Sequence, residues 1–177
     1  MNLATLTGTK PGETDRLLSS VVARLVQDGV RLLGTVRASD PDHPVGHCGS
    51  TLWLLPEGPM VRITQDLGAG SSACRMDAGA LEEAVGLTTA RLTTNGADLV
   101  ILNKFGLSEV EGRGFRTFIA DALARDVPVL LGLSEAHRAA FETFADGMAT
   151  RLHPNEPATL GWCRKVLDRS TVIEGAA

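Results

Sequence analysis

The run ADLVILN at 97–103 restricts the fold more than any other stretch of the chain. Leu99, Val100, Ile101 and Leu102 follow one another with no polar alternation, so a strand made from them has no face to give to water. Such strands belong in parallel sheets covered by helices on both sides. VPVLLGL at 127–133 has the same character. Parallel neighbours need a crossover, and the N-terminal third supplies one. A short apolar run at 3–7 leads through a Gly/Pro-rich turn into Leu17, Leu18, Val21, Val22, Leu25 and Val26, which recur at helical spacing until Gly29. VRLLGTV at 30–36 completes a strand–helix–strand unit, expected to be right-handed.

The middle of the chain reads differently. Residues 38–50 are rich in turn formers and read as a loop, while TLWLL and MVRIT flank PEGP as a β-hairpin. Residues 65–80 form a polar, Gly-rich segment in which Asp77 precedes a helix carrying Leu81, Val85, Thr88 and Leu92. After ADLVILN come a helix with Phe115, Phe118 and Ile119, the strand at 127–133, and a helix capped by Ser134 with Phe141 and Phe144 inward. GMATRLH reads as a last strand and Leu160 to Leu167 as a closing helix. The expected architecture is α/β: one three-layer domain over 1–170 with a mostly parallel central sheet. A hairpin insertion falls at about 50–65, and 171–177 are a frayed tail.

Composition narrows the function. A chain of 177 residues supports one ordinary core, and its net charge of −4 argues against nucleic acid or an anionic membrane as partner. Five Phe, two Trp and no Tyr leave no base-stacking platform. No stretch approaches the ~20 apolar residues that span a bilayer, and MNLATLTGTK has no basic, apolar leader. Cys48, Cys74 and Cys163 form no pair at redox or zinc-finger spacing, so a reducing cytoplasm is the expected location. His47, Cys48 and Cys74, with His43 nearby, have side chains that suit zinc or copper; burial as ordinary packing is the alternative.

Ligands in open parallel sheets bind beyond the carboxyl ends of the strands, which here gathers the loops after 7, 36, 102 and 133. The first of these, TLTGTKPGETDRLL, has the outline of a phosphate-binding loop: strand, Gly-rich turn, helix. Its chemistry differs. Counting from Gly8, the positions that would hold Gly, Lys and Ser/Thr hold Glu13, Thr14 and Asp15. Backbone amides from Gly8 to Gly12 remain able to cradle an anion, with Lys10, Lys104, Arg75 and Arg113 as replacement cations. A plain tight βα turn is the competing reading. Asn103 and Lys104 end a buried strand at the ligand edge. In GSSACRMD, Ser71, Ser72 and Arg75 combine small residues with a guanidinium, a second arrangement for an oxyanion.

The order of motifs resembles the thermophilic nucleoside-triphosphatase branch of phosphate-loop proteins. RMDAGALEEA is similar to its helix start, and VILNKFGLSE matches the spacing of its later strand, with Asn103 replacing the magnesium-binding Asp and Lys104 replacing a Glu. Glu109 stands where that family places the Glu that activates water, which implies a catalytic role. A closer resemblance, from Leu3 to Trp162, is to the bacterial domain-of-unknown-function family 2478, often encoded beside molybdate-uptake genes. It rests on QDLGAGSSACRMD, LVILNKFGLSEVEGRG and VPVLLGLSEAH. This resemblance implies the fold and a link to molybdenum uptake or cofactor proteins. Three readings stay open: a binder of ATP or GTP with Mg, with weak hydrolysis or none; a molybdate or tungstate binder; and a ligand-free regulatory partner. A homo-oligomer is compatible with each.

Overall fold

The computed structural model describes residues 2–38, 50–65 and 75–174, with side chains through Asp168. The chain opens with β1 (Leu3–Leu6), α1 (Glu13–Gln27) and β2 (Leu32–Arg37). The hairpin follows as β3 (Thr51–Leu55) and β4 (Met60–Arg62), and a two-residue ladder joins β5 (Thr64–Gln65) to β6 (Arg75–Met76). Next come α2 (Ala78–Asn95), β7 (Leu99–Phe105), a one-turn α3 (Leu107–Val110), α4 (Arg116–Ala124) and β8 (Val129–Leu133). A 3-10 turn at Glu135–His137, α5 (Arg138–Ala145), β9 (Ala149–Arg151) and α6 (Glu156–Glu174) complete it.

The main sheet runs β4-β3-β2-β7-β8-β1-β9. Its β2–β7, β7–β8, β8–β1 and β1–β9 pairs are parallel, whereas β3 and β4 add on antiparallel at one edge. Two apolar clusters cover the two faces. Leu18, Val21, Val22 and Leu25 of α1 join Leu160 and Cys163 of α6 against Ala4, Leu6, Leu99 and Ile101. On the other face α2, α4 and α5 bring Leu81, Phe118 and Phe141 onto Val100, Leu102 and Leu131. Alternate residues of β7 thus serve opposite layers, and all four of its leading apolar residues are at most 1% exposed. No helix among the described residues is long and apolar enough to cross a membrane. Burial of Cys163 pushes its thiol up to about 12, which keeps it protonated and inert.

Several local expectations are sharpened. Asp77 caps α2, accepting from the Ala80 amide at 3.0 Å. Asp98, just before β7, clamps Arg31, just before the neighbouring β2, through its backbone amide at 2.9 Å and its Nε at 3.0 Å. Ser134 does not cap α5. A 3-10 turn intervenes, and Ser134 Oγ lies 2.8 Å from His137 Nδ1. The closing helix spans Glu156–Glu174 rather than 160–167, because Asn155 provides an earlier cap, its Oδ1 accepting from the Ala158 amide at 2.9 Å.

The feature of the sheet that matters most for the ligand edge is an irregularity between β7 and β8. Leu102 pairs with Leu131 and Phe105 with Leu133, so Asn103 and Lys104 together face Gly132. Two residues against one is a β-bulge, which bends the strand and re-aims its side chains. The backbones approach so closely that a Cβ on Gly132 would lie 2.1 Å from the Asn103 carbonyl oxygen and 2.9 Å from Thr14 Cγ2. Gly132→Ala is therefore expected to cost about 1–3 kcal/mol, read in calorimetry as a Tm fall of about 2–4 °C per kcal/mol. An unchanged Tm would mean that the approach is not under constraint.

Candidate functional site: a cleft at the carboxyl edge of the sheet

The turn between β1 and α1 is a formed anion cradle whose occupant is the chain's own carboxylate. Gly12, at φ 70°, is the N-cap of α1, and its left-handed conformation lets the turn fold back over the helix start. One oxygen of Glu13 then accepts from the Thr9 amide at 2.5 Å, the Thr9 hydroxyl at 3.1 Å and the Lys10 amide at 3.1 Å. The Lys10 amide first, then the Thr9 amide and hydroxyl, hold the Glu13 carboxyl below its ordinary value. Thr14, where a phosphate loop has lysine, turns its hydroxyl inward to accept from the Gly8 amide at 2.9 Å.

The opposite wall is the bulged end of β7. Asn103 Oδ1 is buried and has no hydrogen-bond partner. Buried acceptors are rarely left alone, so such an atom marks a place for a donor or a cation. Lys104 is exposed beside it. Asp15 on α1 lies 3.5 Å from Arg37 at the end of β2. Asp15, Asn103 and Lys104 form a threshold between two chambers. The loop chamber, about 290 Å³, is lined by Gly8, Lys10, Gly12 and Thr14 on one side and by Ser134 and Glu135 on the other. The inner chamber, about 210 Å³, reaches under β3 and α2. Arg138, held by both oxygens of Glu135 at 2.7 Å, donates to Thr7 Oγ1 at 3.1 Å and so braces the start of the loop.

Glu109 lies at the inner chamber and is 4% exposed. Its Oε2 accepts from the Gly106 amide at 2.8 Å and its Oε1 from the Phe115 amide at 3.0 Å. Gly114, at φ 58°, is needed there, since a Cβ would stand within 2.3 Å of Glu109 Oε1. The carboxylate thus closes the loop that carries α3, and both oxygens already hold backbone donors. Its burial comes from this closure, which no spacing in the sequence reveals.

Of the residues singled out in the sequence, Gly8, Lys10, Gly12, Thr14, Asp15, Asn103 and Lys104 meet in the loop chamber. Glu13 seals its amides. Arg75 is exposed on β6 and lines neither chamber, although its neighbour Met76 lines the inner one. Arg113 pairs with Glu111 at the surface. Ser71, Ser72, His43, His47, Cys48 and Cys74 lie outside the described residues. Among those described, no group of three or more His, Cys, Asp or Glu could hold a metal ion. The sequence reading missed Arg37, Thr35 and Ser108. The first two stand at the carboxyl end of β2, the edge it had marked for ligands.

The profile of a family described as "Protein of unknown function (DUF2478)" matches residues 3–162. The chain belongs to this family. One curated protein, the Molybdenum import ATP-binding protein ModC 2 of Bradyrhizobium diazoefficiens, is 32% identical over 157 residues. That match covers 89% of this chain but 17% of the relative. No solved structure matches. For this family member the α/β scaffold, with its mostly parallel seven-stranded sheet, is consistent with a phosphate-loop-nucleotidase-like fold.

Two outcomes test the geometry. Glu109→Ala leaves two backbone donors unmet and is expected to lower stability by about 2–4 kcal/mol in urea titration, with Glu109→Gln losing about half as much; equal stability would mean that the loop closes without it. For Glu13 the folded value is depressed, so its contribution is complete above the ordinary glutamate range and is lost only as pH falls through the lower folded value. The Thr9 and Lys10 amide resonances should therefore titrate below that range, and should stop titrating in Glu13→Gln.

Proposed function

We propose that the chain binds a phosphate-type anion, most simply ATP or GTP with Mg, in the loop chamber, and that it acts in molybdenum uptake or homeostasis without efficient hydrolysis. The observation that carries this reading is the Glu13 carboxylate on the Thr9 amide and hydroxyl and the Lys10 amide. Donors that hold one anion in this way are suited to another at the N-terminus of a helix. Lys10 and Lys104 border the same chamber and supply positive charge. The name of the curated relative, which joins ATP binding to molybdenum import, supports both halves of the reading.

The wall residues also fit a magnesium ion in kind. Phosphate-loop enzymes offer a hydroxyl from the helix and a carboxylate from the strand. Here the helix offers Asp15 and the strand Asn103, so one carboxylate and one neutral oxygen remain, exchanged between walls. Both are hard oxygen donors of the type magnesium takes, and Asn103 Oδ1 is buried with no hydrogen-bond partner of its own, so a turn of that side chain would be needed to present it to an ion. The ion would supply charge neutralisation of the phosphates. Turnover is another matter. Thr14 carries no charge, its hydroxyl is engaged by Gly8, and Glu109 holds two amides rather than a water. Without the lysine and a free base, the developing charge and the attacking water are both left unattended.

A second reading has its own support. Two amides and a hydroxyl converge on a single carboxylate oxygen, a geometry that also suits a compact oxyanion such as molybdate or tungstate. Calorimetric titration separates the two. ATP or GTP with Mg should bind saturably, and Lys104→Gln should weaken binding by about five- to tenfold. Glu13→Gln, which weakens the internal competitor, should strengthen it by about five- to tenfold. Binding of molybdate but not nucleotide selects the second reading. No heat with nucleotide, phosphate or molybdate overturns both.

A further inference from the structure

The inner chamber has a different chemistry from the loop chamber, with which it shares Asp15, Asn103 and Lys104. One side of it is apolar, with Leu52 from β3, Ile63 beside β4, Leu81 from α2 and Phe115 before α4; Thr35, Ser50, Ser108 and Glu109, whose carboxylate is taken up by backbone amides, complete the lining. Met76 stands at its rim and is 43% exposed, one of the few large apolar side chains that the described surface leaves open. Three features of its mouth are polar and specific. Asn103 Oδ1 is the buried acceptor without a donor. The Lys104 ammonium is exposed and belongs to no ion pair among the described residues. Arg37, by contrast, is engaged with Asp15 at 3.5 Å and serves as wall rather than as an available cation.

A phosphate group does not fit an apolar floor, because burying it there would strip its hydration without replacing it. A ring system does fit, and a volume of about 210 Å³ is the scale of one or two fused rings rather than of a whole nucleotide. The unmatched acceptor asks for an N–H or O–H on that ring system, and the free ammonium asks for an anionic group near the mouth. Ligand sites commonly have this composition, an apolar cavity with a few placed polar groups that set orientation.

We propose that the inner chamber is a second binding compartment for a small organic anion with an apolar ring body and one hydrogen-bond donor. The ring lies on Leu52, Ile63, Leu81 and Phe115, the anionic group meets Lys104, and a turn of the Asn103 side chain brings its Oδ1, which has no exposed surface in this structure, onto the donor. Because Asp15, Asn103 and Lys104 border both chambers, a molecule seated here lies directly beside an anion held by the loop. The site then joins two ligands across one threshold. This compartment stands on its own lining and does not require the loop chamber to be filled.

Anilinonaphthalene sulfonate has the three required features, fused rings, a secondary amine and a sulfonate, and it reports apolar burial by fluorescence. Titrated into the full chain, it should give saturable, blue-shifted emission with one site per chain. Ile63→Trp, which fills the chamber, should weaken binding by about tenfold. Lys104→Gln should weaken it by about three- to tenfold. Val26→Ser, at an exposed apolar position on α1 away from the cleft, should leave it unchanged. Non-saturable emission, or affinity indifferent to both chamber variants, overturns the proposal. Should Ile63→Trp lose its thermal transition, Met76→Asp, at a position that borders the inner chamber alone, takes its place with the same weakening expected. A parallel ATP titration keeps the two readings apart: dye binding without nucleotide binding counts against the loop reading only, and nucleotide binding without dye binding counts against the inner compartment only.

Discussion

The contact on which the cleft depends is the approach of β8 to β7 at Gly132. A missing side chain there lets the carbonyl of Asn103 come to a position that any Cβ would contest at 2.1 Å. Regular pairing would continue the β7 alternation and send Asn103 and Lys104 to opposite faces. The bulge instead assigns both residues to one partner and presents them at the sheet edge. Thr14 Cγ2 lies 2.9 Å from the same absent Cβ, so the first turn of α1 rests against the same spot. One glycine thereby sets the separation between the loop wall and the strand wall. The volume between them, and the isolation of Asn103 Oδ1, follow from that separation.

The electrostatics of the loop continue the same logic. Phosphate loops present amides that need an external anion. Here Glu13 serves as an internal one, four residues from Thr9 and three from Lys10, so the amides of the cradle are satisfied. Such a contact stabilises the loop in its binding shape and opposes the ligand to a similar degree, because the same donors cannot serve both. A ligand with several anionic oxygens overcomes this by recruiting Lys10 and Lys104, which the single carboxylate leaves exposed. Selectivity for multiply charged anions over chloride or a lone carboxylate is the physical consequence.

Much of this was legible in the residues. ADLVILN, with no polar alternation, required two helical layers, and the positions of Leu99 and Ile101 in one cluster and Val100 and Leu102 in the other show why. The hairpin and the Asp77 cap were legible for similar reasons of period and turn chemistry. What escaped was set by tertiary contact. Ser134 has the residue type of a helix cap, but its hydroxyl is drawn to His137 and the chain makes a 3-10 turn first. Glu109 has the spacing of a catalytic carboxylate, and its contacts with the Gly106 and Phe115 amides, which close its own loop, could not be read from that spacing. A glycine that permits contact and one that merely turns the chain look alike in a sequence. Gly34 and Gly132, each inside an apolar strand, were places where a close approach could be suspected.

The exchange of carboxylate and neutral oxygen between Asp15 and Asn103 bears on why the loop chamber has the form it does. A worn site would lose charges one by one and let its loop relax. This one keeps its glycine turn, keeps one hard carboxylate in the threshold, and braces the loop start through Arg138 and Thr7. Losing the lysine while Glu13 takes the amides changes the charge balance toward the negative, and that change disfavours an unneutralised triphosphate far more than one whose charge is shared with a metal ion. Dependence on a divalent cation should therefore be steeper than in a loop with its lysine, since the ion must supply neutralisation that the chain has given up. Under the proposed reading, a site so arranged favours its anion together with the ion.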